Sequence, residues 1–347
     1  MFFNVLKKRV NEYFGETKSN KGNWRMYLKT VLQMAGYFVP FSMLFLYADA
    51  EMPTWMFYSI WAVMGLFMAG MGLSIQHDAN HGAYSTNATV NSALGALINL
   101  VGGSAHNWKI QHNILHHTYT NVTGYDEDIH PVGFLRFSPN EPLKGIHRFQ
   151  HFYAWFFYGL MTIEWTTTKD FNGLKRYNDM GFVKTGYVKE FLKLVVWKIV
   201  YLGYALALPI IFIEGFTWVQ ILIGFLSMHF IAGLMLGMIF QPAHVMETSK
   251  FPMPNDDMTI ENTWAVHQMH TTANFGNKNF LLNWYAGGLN FQVEHHLFPN
   301  ICHVHYKGIS EIVRATAKEF GVPYHEQPSF TAAVWNHAKM LKKLGRA

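Results

Sequence analysis

The amino-acid sequence predicts an all-α integral membrane protein, with four transmembrane helices and a helical cap on the cytoplasmic side. Three observations carry this prediction: four long apolar segments, basic residues confined to one side of them, and histidines gathered where the segments end. Half of the 347 residues are hydrophobic and only 14% are charged, whereas soluble domains carry about 25% charged residues. The alternative is a soluble all-helical core, which apolar runs this long and this free of charge disfavour.

Each of the four apolar segments is long enough to cross a hydrocarbon core of about 30 Å, which needs about 20 helical residues. The second and the fourth contain no Asp, Glu, Lys or Arg. The third contains Lys193 and Lys198, and their long side chains are expected to reach the membrane surface. The predicted spans are residues 28–49, 54–76, 191–213 and 215–243.

The distribution of basic residues predicts the orientation in the membrane. The links within each pair of spans contain no Lys or Arg, whereas the segment before the first span contains many. Because cytoplasmic loops carry the positive excess, both termini are expected in the cytoplasm. Residues 1–347 then form a single membrane domain, whose cytoplasmic cap comes from 77–190 and 244–347. We expect a bacterial inner membrane.

Two shorter apolar stretches, at 88–104 and 149–165, are expected to be interfacial or buried helices, since the second is rich in aromatic residues. The single cysteine, Cys302, excludes an intramolecular disulfide and a cysteine-rich metal site. The basic amphipathic N-terminus lacks the cleavage site of a secretory signal and is expected to be retained. The net charge of +5 follows the membrane topology, so we predict no nucleic-acid partner.

Nineteen histidines are present, and eight of them form a pattern. The second span ends in "QHDANHG", which places His77 and His81 four residues apart. Residues at this spacing share one face of a helix. The stretch "HNILHH" repeats the spacing with His112 and His116, and adds the adjacent His117.

The remaining members of the pattern lie in the C-terminal half. "NFQVEHHLFP" contains His295 and His296, with Gln292 three residues earlier, and His244 in "QPAH" follows the fourth span. Imidazole is a ligand for iron, zinc, copper and nickel, and eight imidazoles exceed the needs of one tetrahedral zinc ion. The pattern therefore predicts two metal ions that share a cavity at the cytoplasmic ends of the spans.

Polar residues beside these histidines are candidates for a supporting role, because metal-bound histidines donate their second ring N–H to a carboxylate or carbonyl. Asp78 and Glu294 each neighbour a predicted ligand. The acidic turn at 126–128 fits either this role or a solvated surface turn. His267 and His270 are further candidates, as ligands or as partners of ligands.

The other histidines receive a simpler interpretation. His229 lies at mid-membrane depth and is expected to hydrogen-bond between helices. His303, His305, His325 and His337 are expected to have ordinary structural roles.

The motifs "HDANH", "HNILHH" and "QVEHH" together resemble the three histidine boxes of membrane fatty acid desaturases. Gln292 at the start of the third box is similar to the front-end, acyl-lipid and linoleoyl-CoA branch, and the resemblance covers roughly 28–345. It implies four transmembrane helices under a cytoplasmic cap that holds a di-iron centre. The ligands that the resemblance implies are His77, His81, His112, His116, His117, His244, His295 and His296. Whether Gln292 contacts iron stays open at this point.

The resemblance also implies an activity and its partners. An O2-dependent enzyme with two iron ions would introduce a cis double bond into a fatty acyl chain, carried on CoA or on a membrane lipid. No His-Pro-Gly-Gly haem motif of a fused cytochrome b5 domain occurs, so the electrons are expected from a separate donor such as ferredoxin or cytochrome b5. Aromatic and small residues near the boxes are candidates for the wall of an acyl tunnel: Trp108, Trp264, Trp284, Tyr285, Gly287 and Gly288.

Three alternatives remain. A di-iron hydroxylase acting on a lipid, an alkane or a carotenoid would use the same histidines. A membrane zinc protease would be expected to carry an HExxH motif, and "HDANH" has aspartate beside its first histidine. A metal transporter would place its ligands at mid-membrane depth, where only His229 lies.

Overall fold

A computed structural model describes residues 1–16, 18–49, 51–129 and 133–346 of the chain. The helices in chain order are α1 Phe2–Phe14, α2 Trp24–Tyr47, α3 Thr54–Asn80, α4 Ala88–Leu100, α5 105–119, α6 150–179, α7 Tyr187–Phe212, α8 Trp218–His244, α9 Trp264–Thr271, α10 Phe280–Tyr285, α11 Gln292–Leu297, α12 Tyr306–Glu319 and α13 Phe330–Leu344. Short 3-10 turns occur at Glu127–Ile129, Gly145–Phe149 and His303–His305. Strands β1 Asn274–Phe275 and β2 Glu326–Gln327 form one parallel pair.

The predicted fold class, a helical membrane protein with four spans, is confirmed. Helices α2, α3, α7 and α8 are long and apolar enough to cross a membrane. Helix α3 continues beyond the predicted end of its span, through a π-helical turn at Met71–Gln76, so that His77 still lies on the helix. Helix α8 begins at a capping box, in which the Thr217 hydroxyl accepts from the Gln220 backbone N–H.

Small residues allow helix α6 to cross closely over α8. A Cβ atom at Gly233 would lie 2.5 Å from the backbone oxygen of Tyr158, so only glycine permits this approach. His229 of α8 reinforces the crossing: its Nδ1 lies 3.1 Å from the Thr162 hydroxyl. Its Nε2 lies 2.6 Å from the Tyr201 hydroxyl of α7. His229 therefore connects three helices by hydrogen bonds, as the sequence predicts.

The expectation for Lys198 was wrong. Instead of reaching the membrane surface, its ammonium group is buried and donates to Asp170 Oδ2 at 2.5 Å. It also donates to the backbone oxygens of Gly102, at 2.6 Å, and Trp165, at 2.7 Å. A buried cation is tolerated when it is paired and fully hydrogen-bonded, and this one joins α7 to α6.

The cap is formed by the remaining helices. Helix α1 packs its apolar face, which includes Leu6 and Val10, in a cluster with Met269 of α9 and Val313 of α12. The short helix α11 lies fully buried, with α9 and α12 packed against it. This arrangement holds "QVEHH" against the ends of α3 and α8.

Candidate metal centre

The eight histidines of the sequence pattern meet in one cluster. His81 is half-buried and the other seven are buried. Their ring nitrogens fall into overlapping sets, within each of which the atoms lie no more than 4.8 Å apart. The first histidine group is His77, His81, His112 and His295. The second histidine group is His116, His244 and His296, and His117 forms a further set with His295 and His296.

The first histidine group is built on the end of α3. His77 and His81 stand one turn apart, with ring centroids separated by 4.8 Å. The Nε2 atom of His77 lies 3.2 Å from Nε2 of His112. The His295 ring, from α11, lies 4.4 Å from the His77 ring. Three separate segments therefore bring their imidazoles to one point.

The second histidine group is built on the end of α8. The centroid distances from the His116 ring are 4.7 Å to His244 and 4.9 Å to His296. Gln292 joins this group, since its amide nitrogen lies 2.9 Å from Nε2 of His244 and 3.3 Å from Nε2 of His296. The Gln292 amide oxygen is buried and has no hydrogen-bond partner among the described residues.

His117 lies between the two groups. Its Nε2 atom is 2.9 Å from Nε2 of His295 and 3.3 Å from Nε2 of His112. Its ring also stacks on that of His296 at 4.4 Å. The two groups therefore form one continuous cluster of nitrogen donors.

A π-helical turn carries His112 and His116 of the second motif, "HNILHH". Lys109–His116 has this wider hydrogen-bonding pattern, which recurs at functional sites. The rings of His112 and His116 stack at 5.3 Å, as residues four apart do. Nevertheless His112 contributes to the first histidine group and His116 to the second, which helical spacing alone does not reveal.

The Nδ1 atoms of the second histidine group all point to oxygen acceptors. That of His116 lies 3.0 Å from Asp126 Oδ1, and that of His244 lies 3.2 Å from the Thr271 carbonyl. His296 Nδ1 lies 2.7 Å from the Gln268 side-chain oxygen. At His244 and His296, an Nδ1–H that donates to oxygen leaves the lone pair on Nε2, the atom that faces Gln292.

Charge at the cluster is set by burial and by two carboxylates. Burial, followed by the neighbouring histidines, lowers the pKa of His112, His117, His295 and His296 well below the ordinary value. Their imidazoles are therefore neutral at pH 7, the form that binds metal. For His116, burial favours a lower pKa, but the carboxylates of Asp126 and Asp128 outweigh it and raise the pKa to about 9.

The acidic turn at 126–128 supports the cluster. The Asp126 side chain is fully buried, and it also accepts a hydrogen bond from the Asn121 backbone N–H at 2.8 Å. Asp128 Oδ2 lies 3.4 Å from Nδ1 of His116. The alternative interpretation, a solvated surface turn, therefore does not apply to Asp126.

Other candidates lie beside the cluster without contacting its metal-facing atoms. Asp78 Oδ2 lies 2.8 Å from Nδ1 of His303, which in turn contacts the Lys29 ammonium at 2.6 Å. Glu294 accepts from Asn274 and Tyr324. Burial raises the pKa of Glu294 to about 7, against the effect of these two hydrogen bonds.

The two histidines of "WAVHQMHTTANF" stand outside the ligand sets. His267 Nε2 lies 2.8 Å from the Thr120 carbonyl, and His270 is half-buried and belongs to none of the sets. The residue between them, Gln268, contacts His296 instead. Sequence reasoning missed Gln268, and it missed Tyr306, whose hydroxyl lies 3.2 Å from Nδ1 of His295. Neither carries a signal in the sequence, because each acts through a contact between distant segments.

Two tryptophans among the predicted tunnel residues contact the cluster. The Trp108 ring stacks on His112 at 4.4 Å, and the Trp264 indole N–H donates to the His117 carbonyl at 2.9 Å. They hold the second sequence motif from two sides. A four-span membrane protein with a buried polyhistidine cluster at the span ends has the donor set of one class of protein, the membrane metalloproteins.

Comparison with known proteins places the chain within this class. The family model for fatty acid desaturases matches residues 53–328. The chain is 37% identical over its whole length to sn-1 linoleoyl-lipid 6-desaturase of Synechocystis sp., covering 96% of that protein. It is 35% identical to the Arthrospira platensis protein of the same name, over 99% of this chain and 92% of that protein. Identity to the acyl-lipid (8-3)-desaturase of Physcomitrium patens is 36%, over 99% of this chain and 72% of that protein.

The chain therefore belongs to the fatty acid desaturase family, as the three histidine boxes indicate. It is an oxidoreductase that desaturates fatty acyl chains in membranes, by chemistry that depends on metal. This membership disfavours the zinc protease and the metal transporter.

Proposed function

We propose that this protein uses two iron ions and O2 to introduce a cis double bond into the acyl chain of a membrane glycerolipid. The observation that carries the proposal is the division of eight imidazoles into two groups, with His117 between them. The proposed ligands are the eight clustered histidines, and Gln292 completes the second histidine group. We further propose that residues 1–347 act as one membrane domain.

The donor set fits iron. Imidazole nitrogen suits iron, copper, zinc and nickel, and the reaction of the family is a redox reaction. Zinc has no redox chemistry, so it does not satisfy this requirement. Thiolate ligands would favour Cu(I), and Cys302 forms its cluster with Asp78 and His303, outside the two histidine groups. The partnerless oxygen of Gln292 supplies a further donor atom beside His244 and His296.

Bound iron would supply the oxidising power that an unactivated methylene requires, since no side chain supplies it. The overall reaction balances when one O2, two electrons and two protons combine with the two hydrogens removed from neighbouring carbons, giving two waters and the double bond. The chain itself holds the imidazoles in place. Asp126, Thr271 and Gln268 fix the orientation of the second histidine group, and Trp108 packs against the first.

The names of two similar proteins support a substrate in which the acyl chain is carried on a lipid. Two proteins that match almost the entire chain are named as acting at position 6 of an sn-1 linoleoyl lipid. We infer that this chain also acts on a linoleoyl group in a glycerolipid, between its carbonyl end and its existing double bonds. The acyl chain would remain in the bilayer while its reacting carbons reach the cluster at the ends of α3 and α8.

Orientation and electron supply follow from charge. The N-terminal segment and the cap carry the Lys and Arg excess, which supports cytoplasmic termini and a cytoplasmic metal centre. We propose a bacterial inner membrane and a separate donor such as ferredoxin or cytochrome b5. A basic surface would attract an acidic donor, and that attraction would weaken as salt increases.

The first experiment is a fatty-acid profile with double-bond localisation, in a host that expresses the protein and is fed linoleic acid. We expect a new polyunsaturated product that the His295→Ala variant does not form, and that the matched His325→Ala variant does form. Release of the sn-1 chain by a positional lipase should recover the product from glycerolipid. A hydroxylated product would overturn the desaturase, and product confined to acyl-CoA would overturn the lipid-linked substrate.

The second experiment is metal analysis of the purified protein. Two iron ions per chain are expected, together with a Mössbauer spectrum of two iron sites with nitrogen ligands. One iron per chain in a fully active preparation, or a zinc content that follows activity, would contradict the di-iron proposal.

A further inference from the structure

We propose that the residues just before α6 and just after α13 form a binding site for the headgroup phosphate of an anionic phospholipid. The site is a surface cavity of about 500 Å³, here called the basic pocket. Its lining residues are Leu143, Lys144, Gly145, Arg148, Gly345 and Arg346. Three of these six are cationic, and within the described parts of the chain no acidic side chain lines the cavity.

Buried contacts between distant segments assemble the basic pocket. The Gln150 side chain is fully buried and donates to the Leu341 carbonyl at 2.8 Å. Arg136 donates to the carbonyl of Leu344, also from a buried position. These bonds fix the end of α13 beside the start of α6. Arg346 is therefore held near Arg148, although about two hundred residues separate them in the sequence.

The cations of the basic pocket are not neutralised by described acidic residues. The Lys144 ammonium donates to the Gly133 carbonyl at 3.4 Å, which leaves its charge uncompensated. The Arg148 guanidinium lies 6.0 Å from the centroid of the Phe149 ring. Within the described parts of the chain, Lys144, Arg148 and Arg346 form no ion pair. A convergent set of unpaired cations favours an anionic ligand.

An exposed apolar face continues from the basic pocket along α6. Phe149, Phe152 and Phe156 are 56%, 72% and 55% exposed, and their spacing places them on one side of the helix. The opposite side packs inward through the buried residues Ala154 and Tyr158. Exposed phenylalanines at this density require an apolar partner.

The position of α6 identifies that partner as lipid. Helix α6 crosses α8 at Gly233 and Gly237, in the half of α8 that ends at the metal centre. Further along α6, Thr162 contacts His229 at mid-membrane depth, so the helix runs back along α8 and its first turns lie beside the end of that span. The exposed phenylalanines of these first turns are therefore near the boundary of the bilayer, towards the acyl chains. A phospholipid satisfies both features, because its phosphate pairs with Arg and Lys while its chains cover the aromatic face. Free phosphate would satisfy only the first.

The test uses full-length protein in nanodiscs that contain phosphatidylglycerol and phosphatidylcholine in equal amounts. Native mass spectrometry counts the lipids that remain bound after release from the disc. The variant Lys144→Gln/Arg148→Gln/Arg346→Gln removes the three cations. A matched control, Lys7→Gln/Lys307→Gln/Lys318→Gln, removes the same charge from exposed positions elsewhere in the cap.

Wild type and control should retain phosphatidylglycerol in preference to phosphatidylcholine. In the triple variant, the ratio of bound phosphatidylglycerol to phosphatidylcholine should fall about tenfold. Circular dichroism and metal content should not change, because none of the three cations contacts the histidine cluster. Equal retention by the triple variant and wild type would overturn the site. A preference that the control loses equally would also overturn it, since general surface charge would then explain the binding.

A second measurement separates phospholipid from free phosphate. Phe149→Gln/Phe152→Gln keeps the cations and removes two exposed rings, so retention of phosphatidylglycerol should fall severalfold. In detergent, phosphatidylglycerol should raise the unfolding temperature of wild type, whereas inorganic phosphate at the same concentration should not. An equal shift with inorganic phosphate would overturn the phospholipid and leave a free-phosphate site.

Discussion

The two histidine groups are held in place by different means. In the second histidine group every Nδ1 atom points to an oxygen acceptor, supplied by Asp126, Thr271 and Gln268. In the first histidine group, Nδ1 of His295 lies 3.2 Å from the Tyr306 hydroxyl. By contrast, Nδ1 of His77 lies 3.8 Å from Asp78 Oδ1, beyond hydrogen-bond distance, and Nε2 of His81 is buried with no hydrogen-bond partner among the described residues. These two histidines depend on the backbone of α3 and on the packing of rings.

This difference concerns preorganisation. Hydrogen bonds to Nδ1 fix the tautomer and the ring angle of a histidine before a metal ion arrives. A helix fixes only the start of the side chain, so the rotation of the His77 and His81 imidazoles is limited by the packing of neighbouring rings. The second histidine group should therefore retain its geometry without metal, while the first should depend on the metal itself for order.

Loss of a proposed iron ligand should have the largest effect, and the effect should be equal for the two groups. His296→Ala and His77→Ala each remove an imidazole, so desaturation should fall below about 1% of wild type, by analogy with catalytic units that fail when one member is lost. Iron per chain and product yield are the measurements. His325→Ala serves as the matched control. Substantial product from either variant would remove that histidine from the ligand set.

Asp126→Asn should weaken iron retention about a hundredfold at the second histidine group, at the upper end of the range for a partner of a metal ligand. Asparagine keeps an oxygen for the Asn121 backbone N–H but carries no charge beside His116. Competition with a chelator measures the affinity, and Asp179→Asn at an exposed position is the control. If Asp126→Asn lowers the iron affinity of both histidine groups equally, the two groups behave as one unit. The proposed difference between them would then be wrong.

Much of the fold could be predicted from the sequence, because hydrophobic length and charge asymmetry act locally along the chain. The uncharged second and fourth spans correspond to α3 and α8. The fate of Lys198 could not be predicted, since its partner Asp170 comes from a different helix and only tertiary packing brings them together. Helix ends were also shifted: α3 runs through a π-helical turn that hydropathy does not record.

The histidine cluster could be predicted from residue type and spacing, but its division into groups could not. His112 and His116 are equivalent in the sequence, but His112 belongs with His77, His81 and His295, and His116 with His244 and His296. The residues that support the histidines are harder to predict from the sequence than the histidines themselves. Asp78 lies 3.8 Å from Nδ1 of His77, but its short contact, at 2.8 Å, is with His303. Glu294 accepts from Asn274 and Tyr324 instead of from a histidine. Gln268 had no signal, because its contact with His296 depends on how α9 meets α11.

Gln268→Met should weaken iron retention at the second histidine group about tenfold, less than Asp126→Asn, because a neutral acceptor is lost instead of a charged one. Gln268→Glu provides an internal control, since a carboxylate oxygen can still accept from Nδ1 of His296. Retention should therefore recover in the Glu variant. Equal loss in both variants would show that the contact from the Gln268 amide N–H to the His117 carbonyl, which both variants lack, is the important one.

Trp108→Leu should have the smallest effect on iron affinity, and this effect should be confined to the first histidine group. The indole stacks on His112 and packs edge-on against His77 and His81 at 5.6 and 5.7 Å. Aromatic pairs contribute about 0.5–1.5 kcal/mol, so iron affinity there should fall about threefold. In metal-free protein, however, the histidine side-chain NMR signals of this group should broaden, because ring packing is what limits their rotation. Trp335→Leu, at an exposed position, should change neither. Broadening confined to the second histidine group would reverse the comparison, since its hydrogen bonds would then be the weaker constraint.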